Sequence, residues 1–138
     1  MAEGTKLEIV SPERLVMSEQ VNSVTVPGTD GYFTVMGDHA PLMTTLKPGF
    51  VTAVAASGSS QFYVRGGFAD ISPAGLTILA EEAREAADFD RSEVEALIAE
   101  RQQQLDAAAT PEEKSALQHE LDAWRNLLID AAATTATH

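Results

Sequence analysis

A chain of 138 residues, 44% of them hydrophobic, has room for one packed core with an appendage. Its formal charge of -12 sets it against phosphate backbones and anionic lipid, so neither nucleic acid nor a membrane surface is an expected partner. With no cysteine there is no disulfide, thiol nucleophile or thiolate metal site, which suits a reducing compartment. The start, MAEGTKLEIV, lacks the basic and apolar regions of a secretory signal. No apolar run approaches the roughly 18–20 residues of a membrane helix, so any link to a membrane is expected to go through a partner.

Residues 5–80 read as strands. Leu7 and Ile9 fall on one face, followed by Val21, Val24 and Val26. Turn formers recur at short intervals: Ser11-Pro12, Pro27-Gly28, Asp30-Gly31, Pro48-Gly49, Ser57-Gly58, Gly66-Gly67 and Pro73-Ala74-Gly75. Many short strands so spaced predict an antiparallel sandwich or barrel. SGSSQFYVRGG predicts a hairpin, with Phe62 and Val64 alternating with Tyr63 and Arg65.

The period changes after about residue 86. Val94, Leu97, Ile98, Arg101 and Leu105 form one stripe of a helix, with Asp90 as N-cap and Glu93 at the third helical position. A second helix opens with Thr110 as N-cap, Pro111 at the first helical position and Glu113 at the third, and its stripe is Leu117, Leu121, Trp124 and Leu128. The short link predicts an antiparallel hairpin, and AAATTATH reads as a frayed tail. The fold class is therefore α+β, with a β-sandwich over 1–87 and a two-helix hairpin over 88–138.

Candidates for chemistry are few. The three histidines, His39, His119 and His138, form no metal-binding pair, and no metal or cofactor is expected. His39 stands before Ala40-Pro41, where proline removes a backbone donor and marks a strand end or edge. No Gly-x-Ser-x-Gly elbow, phosphate-cradling loop or dinucleotide fingerprint is present. EEAREAADFD is rich in carboxylates but reads as a solvated connector between the two parts. A binding or structural role outranks catalysis.

GTDGYFTVMGDHAPLMTTLKPGFV resembles the His-Ala-Pro-Leu and Lys-Pro-Gly signature of the epsilon subunit of bacterial F-type ATP synthases. YVRGGFADISPAGLTILAEEA and LEIVSPERLVMSEQVNSVTVPGTDG resemble the same family, so the likeness runs in order from Lys6 to Ala86. It implies a sandwich of about ten strands followed by the helical hairpin. It further implies a non-catalytic rotor subunit at the foot of the central stalk, at the cytoplasmic face of the inner membrane. The implied partners are the gamma subunit, the loops of the proton-driven c-ring and, in the catalytic head, the alpha and beta subunits. By the same resemblance Asp30, Gly31 and Tyr32 lie in the ring-facing turn, while His39, Ala40, Pro41, Leu42, Thr44 and Thr45 lie near the ring and gamma. Tyr32 stands where many members carry an acid.

In many members the hairpin also extends to block ATP hydrolysis, and a short Ile/Leu-Asp-x-x-Arg-Ala motif binds ATP. Here the matching stretch is FDRSEVE, with Glu93 where the arginine should stand. A carboxylate there repels a polyphosphate. From Asp88 onward four basic residues face eleven acids, a balance of -7, so an acidic partner would repel the hairpin. Weak or absent inhibition is expected. The alternatives are a nucleotide-sensing regulator that inhibits hydrolysis through the extended hairpin and an unrelated sandwich enzyme.

Overall fold

The computed structural model describes residues 4–37 and 40–136. Among these, eight strands precede two helices: β1 (Thr5–Val10), β2 (Leu15–Val21), β3 (Ser23–Gly28), β4 (Gly31–Met36), β5 (Leu42–Thr45), β6 (Gly49–Ala55), β7 (Gly58–Ser72) and β8 (Gly75–Glu85), then a 3-10 turn (Ala86–Asp88), α1 (Arg91–Ala107) and α2 (Pro111–Ala136). The chain divides into two compact units, Met1–Phe89 and Asp90–His138.

In the first unit the strands follow the order β2-β1-β8-β7-β6-β3-β4, with β5 paired to the second half of β7, beyond the part that β6 takes. Every pairing is antiparallel except β1 with β8, which is parallel. A parallel pair needs a long crossover, and here the whole run from β2 to β7 supplies it. The alternation in β1 sends Leu7 and Ile9 inward with no exposure, and Val24 and Val26 of β3 meet them in the same core. Each such side chain contributes roughly 1.5–3 kcal/mol of burial.

Two long strands account for eight elements where about ten are expected. Phe62 and Val64 face inward on β7, and then Ala69 and Ile71 do, so the inward positions change from even to odd. On β8 the change runs between Ala80 and Ala83. A strand that changes parity turns its other face to the core, and strands that switch layers do so through such local irregularities. The first half of β7 pairs with β6 and the second half with β5, so β7 and β8 each serve both layers. Gly66-Gly67 is thus a bend inside a strand and not the turn that the glycines suggest. Both glycines have left-handed backbone, at φ 69° and 110°, which only glycine adopts at little cost.

The carboxylate-rich stretch is likewise strand and not connector as far as Glu85. Glu82 engages Arg65 across the sheet and Arg84 two residues along its own strand. Tyr63 departs from simple alternation too, being 3% exposed on the outer face, where Phe50 and Phe89 cover it.

In the second unit the expected caps form. Asp90 Oδ1 accepts from the Ser92 N–H at 2.9 Å. Thr110 Oγ1 accepts from the Glu113 N–H and donates to its carboxylate, each at 3.1 Å. Such a cap contributes about 1 kcal/mol. The helices run antiparallel, joined by Arg101 Nε donating to Glu120 at 2.9 Å, Arg125 to Gln102 at 2.9 Å and Arg91 to the Leu128 carbonyl at 3.3 Å. Glu120 and Glu100 together raise the Arg101 pKa, with the Glu120 hydrogen bond the larger cause. The buried side chains are Val94, Leu121, Trp124, Leu127 and Ala131. Leu127 therefore takes the place in the stripe expected of Leu128, which is half-buried. The alanine-rich tail does not end α2, which continues to Ala136, as the high helix propensity of alanine favours.

Candidate partner-docking surface

The outer face of β2, β1, β8, β7 and β5 carries a row of apolar side chains. Register places Leu15 opposite Val10, Val10 beside Leu79, Leu79 opposite Phe68, and Phe68 opposite Thr45. Residues so paired point to the same face. Leu15 is 54% exposed, Phe68 50% and Leu79 47%. A groove of about 650 Å³ runs along this row, with Gly66 and Gly67 in its floor and Pro12 and Glu81 among its walls. The Leu46 N–H donates to the Gly67 carbonyl at 2.8 Å and ties the end of β5 to that floor. Contiguous exposed apolar surface of this kind marks an interaction site.

The expected site residues fall at two places along β5. At its C-terminal end, Thr45 lies in the apolar row, and its carbonyl accepts from the Thr29 N–H at 3.1 Å. This bond holds the β3–β4 turn beside the groove. Asp30 in that turn is exposed, and Gly31, at φ 133°, has open space around it. The Tyr32 hydroxyl accepts from the Phe50 N–H at 3.2 Å, and the Lys47 ammonium sits 5.4 Å from the centre of its ring. A Cβ on Gly49 would lie 2.7 Å from that hydroxyl and 2.6 Å from Pro27 Cβ, so the Lys-Pro-Gly sequence gives Tyr32 its seat. The ammonium over the ring brings positive charge to this place, opposite in sign to the acid that many members carry at the position of Tyr32.

Ala40 and Pro41 are exposed and lead into the other end of β5, with Pro41 about 13 Å along the strand from Thr45. Leu42 and Met43 are 47% and 63% exposed, whereas Thr44 is half-buried on the inner side. Asp30, Gly31, Tyr32 and Thr45 therefore gather at one end, and Ala40, Pro41 and Leu42 do not join them. His39 lies outside the described residues, as does His138. His119 is exposed on α2, and Glu93 is exposed in the first turn of α1. Among the described residues no three histidine or acidic side chains are grouped to hold a metal.

Val10, Leu15, Phe68 and Leu79 escape a reading by alternation. Their signal is an apolar residue where the pattern calls for a polar one, as at Leu79 between Ile78 and Ala80.

The family model described as ATP synthase, Delta/Epsilon chain, beta-sandwich domain matches residues 4–86. The chain is 59% identical over 95 residues to the ATP synthase epsilon chain of Mesorhizobium japonicum, covering 68% of this chain and 70% of that one. It is 48% identical over 120 residues to that of Rhizobium johnstonii, covering 86% and 89%. A chain in the cryo-EM structure of the Euglena gracilis mitochondrial ATP synthase shares the fold, with a TM-score of 0.72 at 18% identity over 99% of this chain and 82% of that one. A chain of the Tetrahymena thermophila central stalk and c-ring does so at 0.65 and 15% identity, over 91% and 95%.

Proposed function

The chain belongs to the epsilon family of ATP synthase subunits, and on that premise we propose that it is a non-catalytic rotor subunit of the central stalk. It couples rotation of the c-ring, through the gamma subunit, to the catalytic head. The observation that carries this reading is the apolar row of Leu15, Leu79 and Phe68, held in register beside the β3–β4 turn. Gamma docks on the row and the groove. The turn bearing the exposed Asp30 meets the polar loops of the ring. Transmission of torque needs a body that does not yield, and a close-packed sandwich provides one. No helix among the described residues is long and apolar enough to cross a membrane. The subunit is held peripherally at the cytoplasmic face of the bacterial inner membrane by its partners.

Charge at two exposed positions tests the docking. Phe68→Glu with Leu79→Glu is expected to weaken gamma binding at least about tenfold, since a carboxylate there must be desolvated without a partner. Both positions are half-exposed, so the loss of stability is expected to be confined to about 1 kcal/mol from the two carboxylates standing opposite each other. Unchanged affinity in a titration against gamma rules out this face as the dock.

The hairpin is a weak brake at most. Glu93 presents a carboxylate where the nucleotide motif needs a cation, and Arg91 is committed to Glu95 at 3.4 Å and to the Leu128 carbonyl. ATP hydrolysis by a reconstituted head with gamma is expected to run at the same rate with the full chain as with a chain ending at Phe89. Strong inhibition by the full chain alone overturns this.

A further inference from the structure

The segment after β8 is fixed to the sandwich by its last residue. Phe50 and Tyr63 stand directly opposite each other on β6 and β7, with ring centroids 6.1 Å apart. The Phe89 ring closes on both, 5.4 Å from Phe50 and 5.1 Å from Tyr63, edge-on to each. Edge-to-face contacts at these distances are the favoured arrangement for aromatic pairs. Arg84 adds a second tie. Its guanidinium lies 5.9 Å from the centre of the Tyr63 ring, and its Nη1 donates to the Asp88 carbonyl at 3.4 Å. The Phe89 N–H donates to the Ala86 carbonyl at 3.1 Å and closes the 3-10 turn.

On the other side, the next residue is fixed to the helix. Asp90 Oδ1 accepts from the Ser92 N–H and from its hydroxyl at 2.6 Å, and the Asp90 carbonyl accepts from the Glu93 N–H at 3.2 Å. Between a residue tied to the sheet and a residue tied to the helix only two backbone torsions remain, ψ of Phe89 and φ of Asp90. They stand at 128° and -111°, in the broad extended region where rotation meets few clashes.

We infer that Phe89 is a pin that reduces the junction of the two units to a hinge of two torsions. Left loose, residues 86–90 would supply about ten, two per residue. The backbone freedom left at the junction is then that of these two bonds. Hinges are commonly a few element-terminal residues that absorb the whole change in φ and ψ. Here the side chain of one such residue sets where the flexing starts.

Nitrogen relaxation and amide exchange on the full chain read this directly. Residues 86–89 are expected to be as ordered as the sheet, with order parameters near about 0.85, and in Phe89→Ala to fall toward about 0.6. Exchange of the residue 89 amide is expected to quicken about tenfold in that variant, while the β7 and β8 amides stay protected. Phe89→Leu keeps apolar contact without the ring edges and is expected to show a smaller fall in order. It carries the test if the alanine variant loses its sheet protection. Residues 86–89 already loose in the parent chain, or order and exchange unchanged in both variants, overturn the inference.

Discussion

Replacing Gly67 with alanine is expected to destabilise the sandwich by about 3–5 kcal/mol, more than any other methyl addition considered for its glycines. The added carbon would sit 2.0 Å from the Leu79 carbonyl oxygen and 2.9 Å from Ala80 Cα. Both are backbone atoms of the paired strand, so no side chain can swing aside. The residue would also have to hold φ at 110°. Relief requires β7 and β8 to part at the bend where both strands pass between layers, and the Leu46–Gly67 hydrogen bond goes with it. For a domain of this size the midpoint falls by roughly 15–30 °C. Gly58→Ala is the control, since φ there is 132° but nothing lies within 4 Å. It carries torsional strain alone, about 1–2 kcal/mol. Equal losses in thermal melts of the two variants would mean that the contact with Leu79 does not matter.

Trp124→Ala is expected to unfold the helical unit while the strands remain. The indole is 2% exposed, and its Nε1 donates to Glu120 at 3.3 Å, on the same oxygen that accepts from Arg101. Truncating a buried tryptophan costs about 3–5 kcal/mol. A unit of two helices has little else to hold it, because isolated helices are marginal and the buried set is small. No helical residue belongs to the sandwich core, so the strand amides should keep their protection. The helical circular dichroism should fall, with Trp124→Phe retaining most of it through the apolar area it preserves. A Trp124→Ala chain with full helical signal and an unchanged melting curve would show that the hairpin does not depend on this side chain.

What was legible in the sequence is what local chemistry dictates. Asp90 and Thr110 announce their helix starts because capping involves residues two or three apart, and the inward valines of β3 follow from period two alone. Gly66-Gly67 misleads because a glycine pair signals left-handed backbone and does not say whether the chain reverses or bends. Only the change of parity in β8, opposite it, distinguishes the two, and that pairing is not local. The family signature names Thr45, but it gives no sign of the apolar row that register sets beside it. Leu15, Val10, Leu79 and Phe68 come from four strands and become neighbours only by register. Phe50, Tyr63 and Phe89 meet for the same reason.

The parallel pairing of β1 with β8 also sets a timetable. Lys6 pairs with Gly75, so the first strand made waits for the last. At about 5–20 residues per second on the ribosome, that wait is roughly 3–14 s. During it β1 has β2 as its neighbour, and a two-stranded hairpin is marginal in water. Leu7 and Ile9 lack the β8 part of their core, Leu76 and Ile78, and one edge of β1 is open to any passing strand. Folding of such β-rich topologies takes milliseconds to seconds once the chain is whole. Elongation, and not collapse, is then the slow step, and the nascent amino-terminal hairpin is the species most open to mispairing.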